Sequence, residues 1–264
     1  MNVCILASGS AGNAIYVESR RARLLIDAGL SGTDLARRLA QIGRTFDELD
    51  GVIITHEHTD HIKGLRPIAR RRIPLYLNRS TYAAMTGPQW ESSLRSALPL
   101  EAIRWVENGH SFAIHDLVCS PFTVSHDAAD PFGLAITDGR VRVGIATDLG
   151  FVSGLVLERL KHAHLLILEA NHDEAMLKNG RYPWPVKQRI LGQYGHLSNG
   201  AAATAIEHLV HADIQEVILA HLSQENNRPD LAIEAASEAL DRAGRLQMPV
   251  SAAEQHRVGV MREL

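Results

Sequence analysis

The chain has 264 residues, 45% of them hydrophobic and 22% charged, with a formal net charge of −3. That length can bury a large core, and the composition is that of an ordinary globular protein. The net charge excludes a globally basic nucleic-acid binder and leaves only local patches for such a role.

Residues 2–7 read as a strand that runs into the glycine and hydroxyl loop Ser8-Gly9-Ser10-Ala11-Gly12-Asn13. Strands at 14–18 and 23–27 follow after short turns, which suggests a meander rather than a βαβ start. The loop has two readings, a hairpin turn or a backbone cradle for phosphate. Residues 33–42 form an amphipathic helix, with Leu35, Leu39 and Ile42 on one face and Arg37 and Arg38 on another. It stops at Gly43. Residues 51–54, Gly-Val-Ile-Ile, read as a short buried strand.

Just past that strand stands Thr55-His56-Glu57-His58-Thr59-Asp60-His61. Three imidazoles and two carboxylates in seven residues are too polar for a core. On a tight loop, His56 and His58 can reach one cation, and Asp60 and His61 a neighbouring one. Imidazole nitrogen with carboxylate oxygen suits zinc, manganese or iron, and suits poorly a calcium site. The stretch 62–72 then reads as a helix carrying Lys63, Arg66, Arg70, Arg71 and Arg72 with no acid. Against the net negative charge, it is a candidate track for a phosphate backbone, with a solvated basic face as the alternative.

Residues 74–77 are a strand, and 78–104 mix helix-like stretches with turns and show no chemistry. Downstream, one arrangement repeats. The strand 117–124 ends at Ser125-His126-Asp127, 141–147 at Asp148, 165–170 at Asn171-His172-Asp173, and 216–220 at His221. With 51–54, five apolar strands finish on His or Asp, and such ends can converge on one rim of a rigid scaffold. His110 and His115 sit in or beside turns and are read as solvated. Helices at 152–163, 201–210 and 229–243 alternate with the late strands, and 257–262 is a candidate closing strand. In Gly195-His196-Leu197-Ser198-Asn199, Ser198 or Asn199 can N-cap the next helix. His196 thus falls just before a helix N-terminus, where anions are favoured.

Cys4 and Cys119, both in apolar runs, are too few for a disulfide framework and read as core thiols of a reduced compartment. No run approaches the ~20 apolar residues of a membrane span, and residues 1–7 carry no basic signal region. No membrane partner is expected, the location is expected to be cytoplasmic, and no linker divides 1–264, so one domain is expected.

The pattern His-x-His-x-Asp-His after a buried strand resembles the signature of the metallo-β-lactamase superfamily. Further stretches bring the likeness to its YycJ/WalJ-type exonuclease branch: Leu6-Ala7-Ser8-Gly9-Ser10, Pro121 to Ala128, Ala146-Thr147-Asp148-Leu149-Gly150, Glu169-Ala170-Asn171-His172-Asp173, Gly195 to Asn199 and His221 to Asn227. The resemblance spans nearly the whole chain. It implies an α/β fold, a four-layer αββα sandwich with a dinuclear metal site at one rim of the sheets. It implies a metal-dependent phosphodiester hydrolase, a 5′-to-3′ DNA exonuclease, with two divalent ions (zinc, manganese or iron) and a metal-bridging hydroxide as nucleophile. His56, His58 and His126 then hold the first ion and Asp60, His61 and His221 the second, with Asp148 bridging. Asp60 is counted with His196 among the catalytic residues. His196 matches the His-x-Ser element of the phosphodiesterase members, and two roles stay open for it: binding the phosphate or protonating the leaving oxygen. Asp27 supports the metal loop in this pattern without binding metal. His172 and Asp173 stay open between support of a ligand and contact with substrate. The implied DNA partner would be met by Lys63, Arg66, Arg70, Arg71 and Arg72. An RNA or small-molecule phosphodiesterase, or a carbon-ester hydrolase of the glyoxalase II or lactonase kind, would share the metal loop.

Overall fold

The computed structural model describes residues 1–87, 98 and 100–264; the rest of the expected helix-and-turn stretch at 78–104 lies outside them. The chain forms two compact units. One comprises Met1–Pro121, Ala128–Phe132 and Glu254–Leu264, the other Phe122–Asp127 and Gly133–Ala253. Each has its own hydrophobic core.

The first unit is built on a mixed sheet of order β14-β1-β2-β3-β4-β5-β6. Strands β1 (Asn2–Ala7), β2 (Ala14–Glu18) and β3 (Arg23–Ile26) form the antiparallel meander that the short turns predict. Strands β4 (Gly51–Ile53), β5 (Leu75–Leu77) and β6 (Ile103–Trp105) then add in parallel. Unbroken apolar runs such as Leu24-Leu25-Ile26 belong to strands covered on both faces. The closing strand β14 is only Arg262–Glu263, paired with β1.

Helix α1 (Gly32–Gln41) buries Leu35 and Leu39, with the Ser31 hydroxyl accepting from the Asp34 N–H at its start. Gly43 takes φ 70° at its end, a left-handed turn that suits glycine. Arg38 departs from the expected exposed face. It is buried, and its Nη1 donates to the Leu6 carbonyl at 2.6 Å.

The basic stretch is two short helices, α2 (Thr59–Ile62) and α3 (Leu65–Arg70), and not one. Pro67 has no N–H to continue the ladder. At Gly64 the backbone passes so close to α1 that a Cβ would lie 2.4 Å from Leu35 Cδ1. Helix α4 (Arg79–Met85) starts at the Asn78 cap.

The second sheet has the order β13-β12-β11-β10-β9-β8-β7. Its strands are β7 (Phe112–Ile114), β8 (Leu117–Thr123), β9 (Phe132–Thr137), β10 (Arg142–Ala146), β11 (Leu165–Glu169), β12 (Glu216–Ala220) and β13 (Val250–Ala252). From β10 to β13 the pairing is parallel, so the carboxyl ends of these strands lie along one edge. Helices of the second unit are α5 (Gly154–Leu160), α6 (Glu174–Asn179), α7 (Trp184–Leu191), α8 (Asn199–Leu209) and α9 (Pro229–Arg242). Among the described residues no helix is long and apolar enough to cross a membrane.

Candidate metal centre

In the first unit the heptad begins as loop, and its last three residues open helix α2. His56 stacks near His58 and His61, with ring centroids 4.7 and 4.0 Å away. One buried carboxylate organises the group. Asp27 Oδ2 lies 2.8 Å from His61 Nδ1 and accepts from the Thr55 hydroxyl at 2.9 Å, while Oδ1 accepts from the Thr55 N–H at 2.9 Å. Thr55 Oγ1 is in turn 3.1 Å from His56 Nδ1. A carboxylate only accepts, so His61 carries its proton on Nδ1 and presents a lone pair at Nε2. The same relay, through Thr55, sets His56. Asp27 takes φ 62°, a left-handed conformation that costs a non-glycine residue on the order of 1–2 kcal/mol.

The Ser8–Asn13 loop serves this group as a brace. Asn13 N–H donates to the Asp60 carbonyl at 2.8 Å, and its Nδ2 lies 3.2 Å from Asp60 Oδ2 and 3.1 Å from His61 Nε2. The N–H groups of Gly9 and Ala11 go to Asn13 Oδ1 and Gln255 Oε1, so these donors close the turn and do not form an anion cradle. Gly29 permits the fit: a Cβ there would fall 1.6 Å from the Asp60 carbonyl oxygen.

In the second unit, the ends of β10, β11 and β12 bring Asp148, Glu169 and His221 to one edge. Asp148 and His221 again take positive φ, 58° and 55°. Asp148 Oδ1 is 3.2 Å from His221 Nδ1, 3.8 Å from His196 Nδ1 and 3.9 Å from His126 Nε2. His126 donates from Nδ1 to the Gly195 carbonyl at 3.0 Å, so its Nε2 carries the lone pair.

Glu169 is the residue that sequence reasoning passed over. It is fully buried and accepts four hydrogen bonds. Oε1 takes His196 Nδ1 and His221 Nδ1, both at 2.8 Å, and Oε2 takes the N–H groups of Leu149 at 2.9 Å and Leu197 at 3.1 Å. Burial alone would raise its pKa, but the two imidazoles and their hydrogen bonds outweigh it and hold the carboxyl well below the usual range. At His196 burial pulls the imidazole down and the Glu169 carboxylate lifts it more, leaving it above its ordinary value. Asp148, Glu169, His196 and His221 each offer an atom within 4.8 Å of the others. With its four acceptor directions filled, Glu169 orients the two histidines.

These residues fit a divalent metal. Imidazoles anchored at Nδ1 by a carboxylate, hydroxyl or carbonyl present Nε2 in a fixed direction, the arrangement typical of metal-binding histidine. Each unit repeats it around one buried acid, Asp27 or Glu169.

The remaining candidates divide. His110 and His115 lie at the surface, His115 against Asp50. Asp173 caps α6 by accepting from the Met176 N–H. His172 is buried, its ring nitrogens have no hydrogen-bond partner among the described residues, and burial holds its pKa down. Lys63, Arg66, Arg70, Arg71 and Arg72 are exposed. Arg71 is engaged with Asp47 at 3.0 Å and with the Phe46 ring.

Residues 22–222 match the Beta-lactamase superfamily domain. The chain is 37% identical to Exodeoxyribonuclease YycJ of Bacillus anthracis, over 92% of this chain and 90% of that one. It is 40% identical to Exodeoxyribonuclease WalJ of Streptococcus pneumoniae, over 86% and 84%. Among solved structures, the metallo-beta-lactamase fold protein YhfI from Bacillus subtilis aligns with a TM-score of 0.72 over 99% of this chain and 98% of that one. Their identity is 17%, so this likeness speaks for the fold.

Proposed function

The chain belongs to the metallo-β-lactamase superfamily, and within it we propose a metal-dependent DNA exonuclease that degrades from the 5′ end as one catalytic domain in the cytoplasm. The relatives at 37% and 40% identity support a nuclease. Two buried, unpaired cysteines suit a reducing compartment.

His196 is the observation that carries the reading. Its side chain is 20% exposed, against 1% for His126 and 2% for His221. It is the histidine of that cluster that a substrate can reach, and Glu169 aims it. Glu169 fixes the ring through Nδ1, as a positioned acid or phosphate-binding group requires.

His56, His58 and His126 would hold one ion and Asp60, His61 and His221 a second, with Asp148 as a ligand common to both sets. The donor set suits zinc, manganese or iron. Such ions supply an activated water and neutralise charge on a phosphate. Asp27 and Glu169 keep the histidines in register, and His196 gives its proton to the departing oxygen. Lys63, Arg66, Arg70 and Arg72, beside the heptad in sequence, take the DNA backbone.

The test is a panel of 5′- and 3′-labelled single- and double-stranded DNA, RNA, bis-p-nitrophenyl phosphate and a thioester, each with zinc or manganese. Mononucleotides released first from the 5′ end of DNA are expected. Release from the 3′ end only would sink the polarity, and cleavage of the thioester alone would replace the reading with a carbon-ester hydrolase.

A further inference from the structure

The segment that carries His196 is one of two long acid-free runs in the chain, the other being residues 61–90. From Ala175 to Ile206 there is no Asp or Glu, while Lys178, Arg181, Lys187 and Arg189 supply four cations in a chain of net charge −3. Two large aromatic rings in it face solvent: Trp184 is 60% exposed and Tyr194 64%. A helix of this length ordinarily turns its aromatic residue inward, because burying a large ring stabilises by a few kcal/mol. Helix α7 does the reverse and buries the stem of Lys187, whose amine donates to the Lys178 carbonyl at 2.8 Å.

This surface is tied rigidly to His196. The His196 N–H donates to the Ile190 carbonyl at 3.0 Å, in the last turn of α7. Gly195 packs so tightly that a Cβ would lie 2.2 Å from the carbonyl oxygens of Arg189 and Ile190. Tyr194 is therefore held next to His196, and Trp184 stands at the other end of α7, about 12 Å along an eight-residue helix. Arg189 lies between them, 63% exposed, with its Nε on Asp127. Arg181 is exposed just before the helix.

We propose that Tyr194 and Trp184, with Arg181, form a stacking platform for unpaired DNA leading to His196. The proposal rests on the nuclease reading above for its substrate. Exposed rings stack on any base whose face is open, and a guanidinium beside them meets a phosphate. Inside a duplex the base faces are already stacked on each other, so the platform selects a single-stranded end. Lys178 is paired with Glu174, the Lys187 amine is turned inward and Arg189 is on Asp127, so Arg181 and the open rings tied to His196, and not net charge, favour this occupant over a second copy of the chain.

The test separates the platform from the chemistry. Binding of a cleavage-resistant phosphorothioate dT12 is compared with an abasic phosphorothioate 12-mer of equal charge, using the metal-loaded protein. Hydrolysis of dT12 and of bis-p-nitrophenyl phosphate is measured alongside. The wild type is expected to prefer dT12, and Trp184→Ala and Tyr194→Ala each to weaken it roughly five- to a hundredfold, the range of one lost base stack, with the abasic strand little affected. Tyr194→Phe is expected to retain the preference. Equal binding of dT12 and the abasic strand by the wild type overturns the platform, even if both substrates are hydrolysed. Base-selective binding without hydrolysis of any phosphodiester leaves the platform standing and removes the nuclease reading. Sedimentation that shows a wild-type dimer and a Trp184→Ala, Tyr194→Ala monomer assigns the face to a second copy and also overturns it.

Discussion

Glu169 shows how much one buried carboxylate can organise. Its four donors come from two imidazoles on one oxygen and two backbone N–H groups on the other, and an amide cannot accept on both sides. Glu169→Gln therefore turns an NH₂ toward either the imidazoles or the backbone donors. We expect it to lower stability by roughly 2–4 kcal/mol, the scale of a broken buried polar network, and metal affinity by about 10–100-fold. Thermal unfolding and metal titration check this; unchanged values would mean the network is slack. At His196 the expectation is different, because it sits in Gly-His-Leu-Ser and not at a strand end. His196→Ala should keep the protein's metal content and lose on the order of 10²–10⁴ in rate, with a smaller loss for p-nitrophenolate esters, whose leaving group needs little protonation. An equal loss for good and poor leaving groups makes His196 a phosphate anchor, and a fall in metal content makes it a ligand. His196 and Asp27 were legible in the sequence because each stands in a distinctive local motif. Glu169 was not. It is the last residue of the strand Leu-Leu-Ile-Leu-Glu, and only the fold shows that its side chain turns inward to meet four donors.

The elements follow the same logic of legibility. Strands covered on both faces, such as β3 and β11, announce themselves as unbroken apolar runs. The short strands β6 and β13 do not, with three residues each and partly exposed side chains. Helix α7 was given no reading in the sequence; it opens on Pro183 and Pro185, and Pro is tolerated in a helix's first turn. The basic stretch after the heptad was read as a continuous helix, and its interruption at Gly64 comes from packing against Leu35, a long-range constraint that periodicity cannot carry. That break alters what the stretch should do. Arg71 is held by Asp47 and Phe46, which leaves Lys63, Arg66, Arg70 and Arg72 as the proposed phosphate contacts. Neutralising Arg66 and Arg70 together should reduce the slope of log Kobs against log salt by about 1.4 to 1.8, two phosphates' worth on single- or double-stranded DNA. Arg71→Gln should change it far less. Equal slopes for both variants and the wild type would make the stretch a solvated face.

On the scale of the whole molecule, the chain passes repeatedly between its two compact units, since Ala128–Phe132 and Glu254–Leu264 belong with the first while the segments between belong with the second. No linker marks the division, which is why composition and breaker residues along the sequence pointed to one domain over 1–264. Metal binding should add to the stability of the folded protein. An ion present at a hundredfold excess over its Kd contributes ~2.7 kcal/mol, so two ions should raise the unfolding temperature by roughly 10–20 °C at this chain length. Calorimetry of the metal-loaded protein, of the protein stripped by a chelator and of the stripped protein given zinc or manganese measures this directly. His58→Ala and His126→Ala should each lose chiefly one ion, His61→Ala and His221→Ala chiefly the other, and elemental analysis should show about one ion retained in each variant. A variant that keeps both ions and full activity removes its residue from the ligand set, and a stripped protein that melts with the loaded one would show that the metals are not built into the fold.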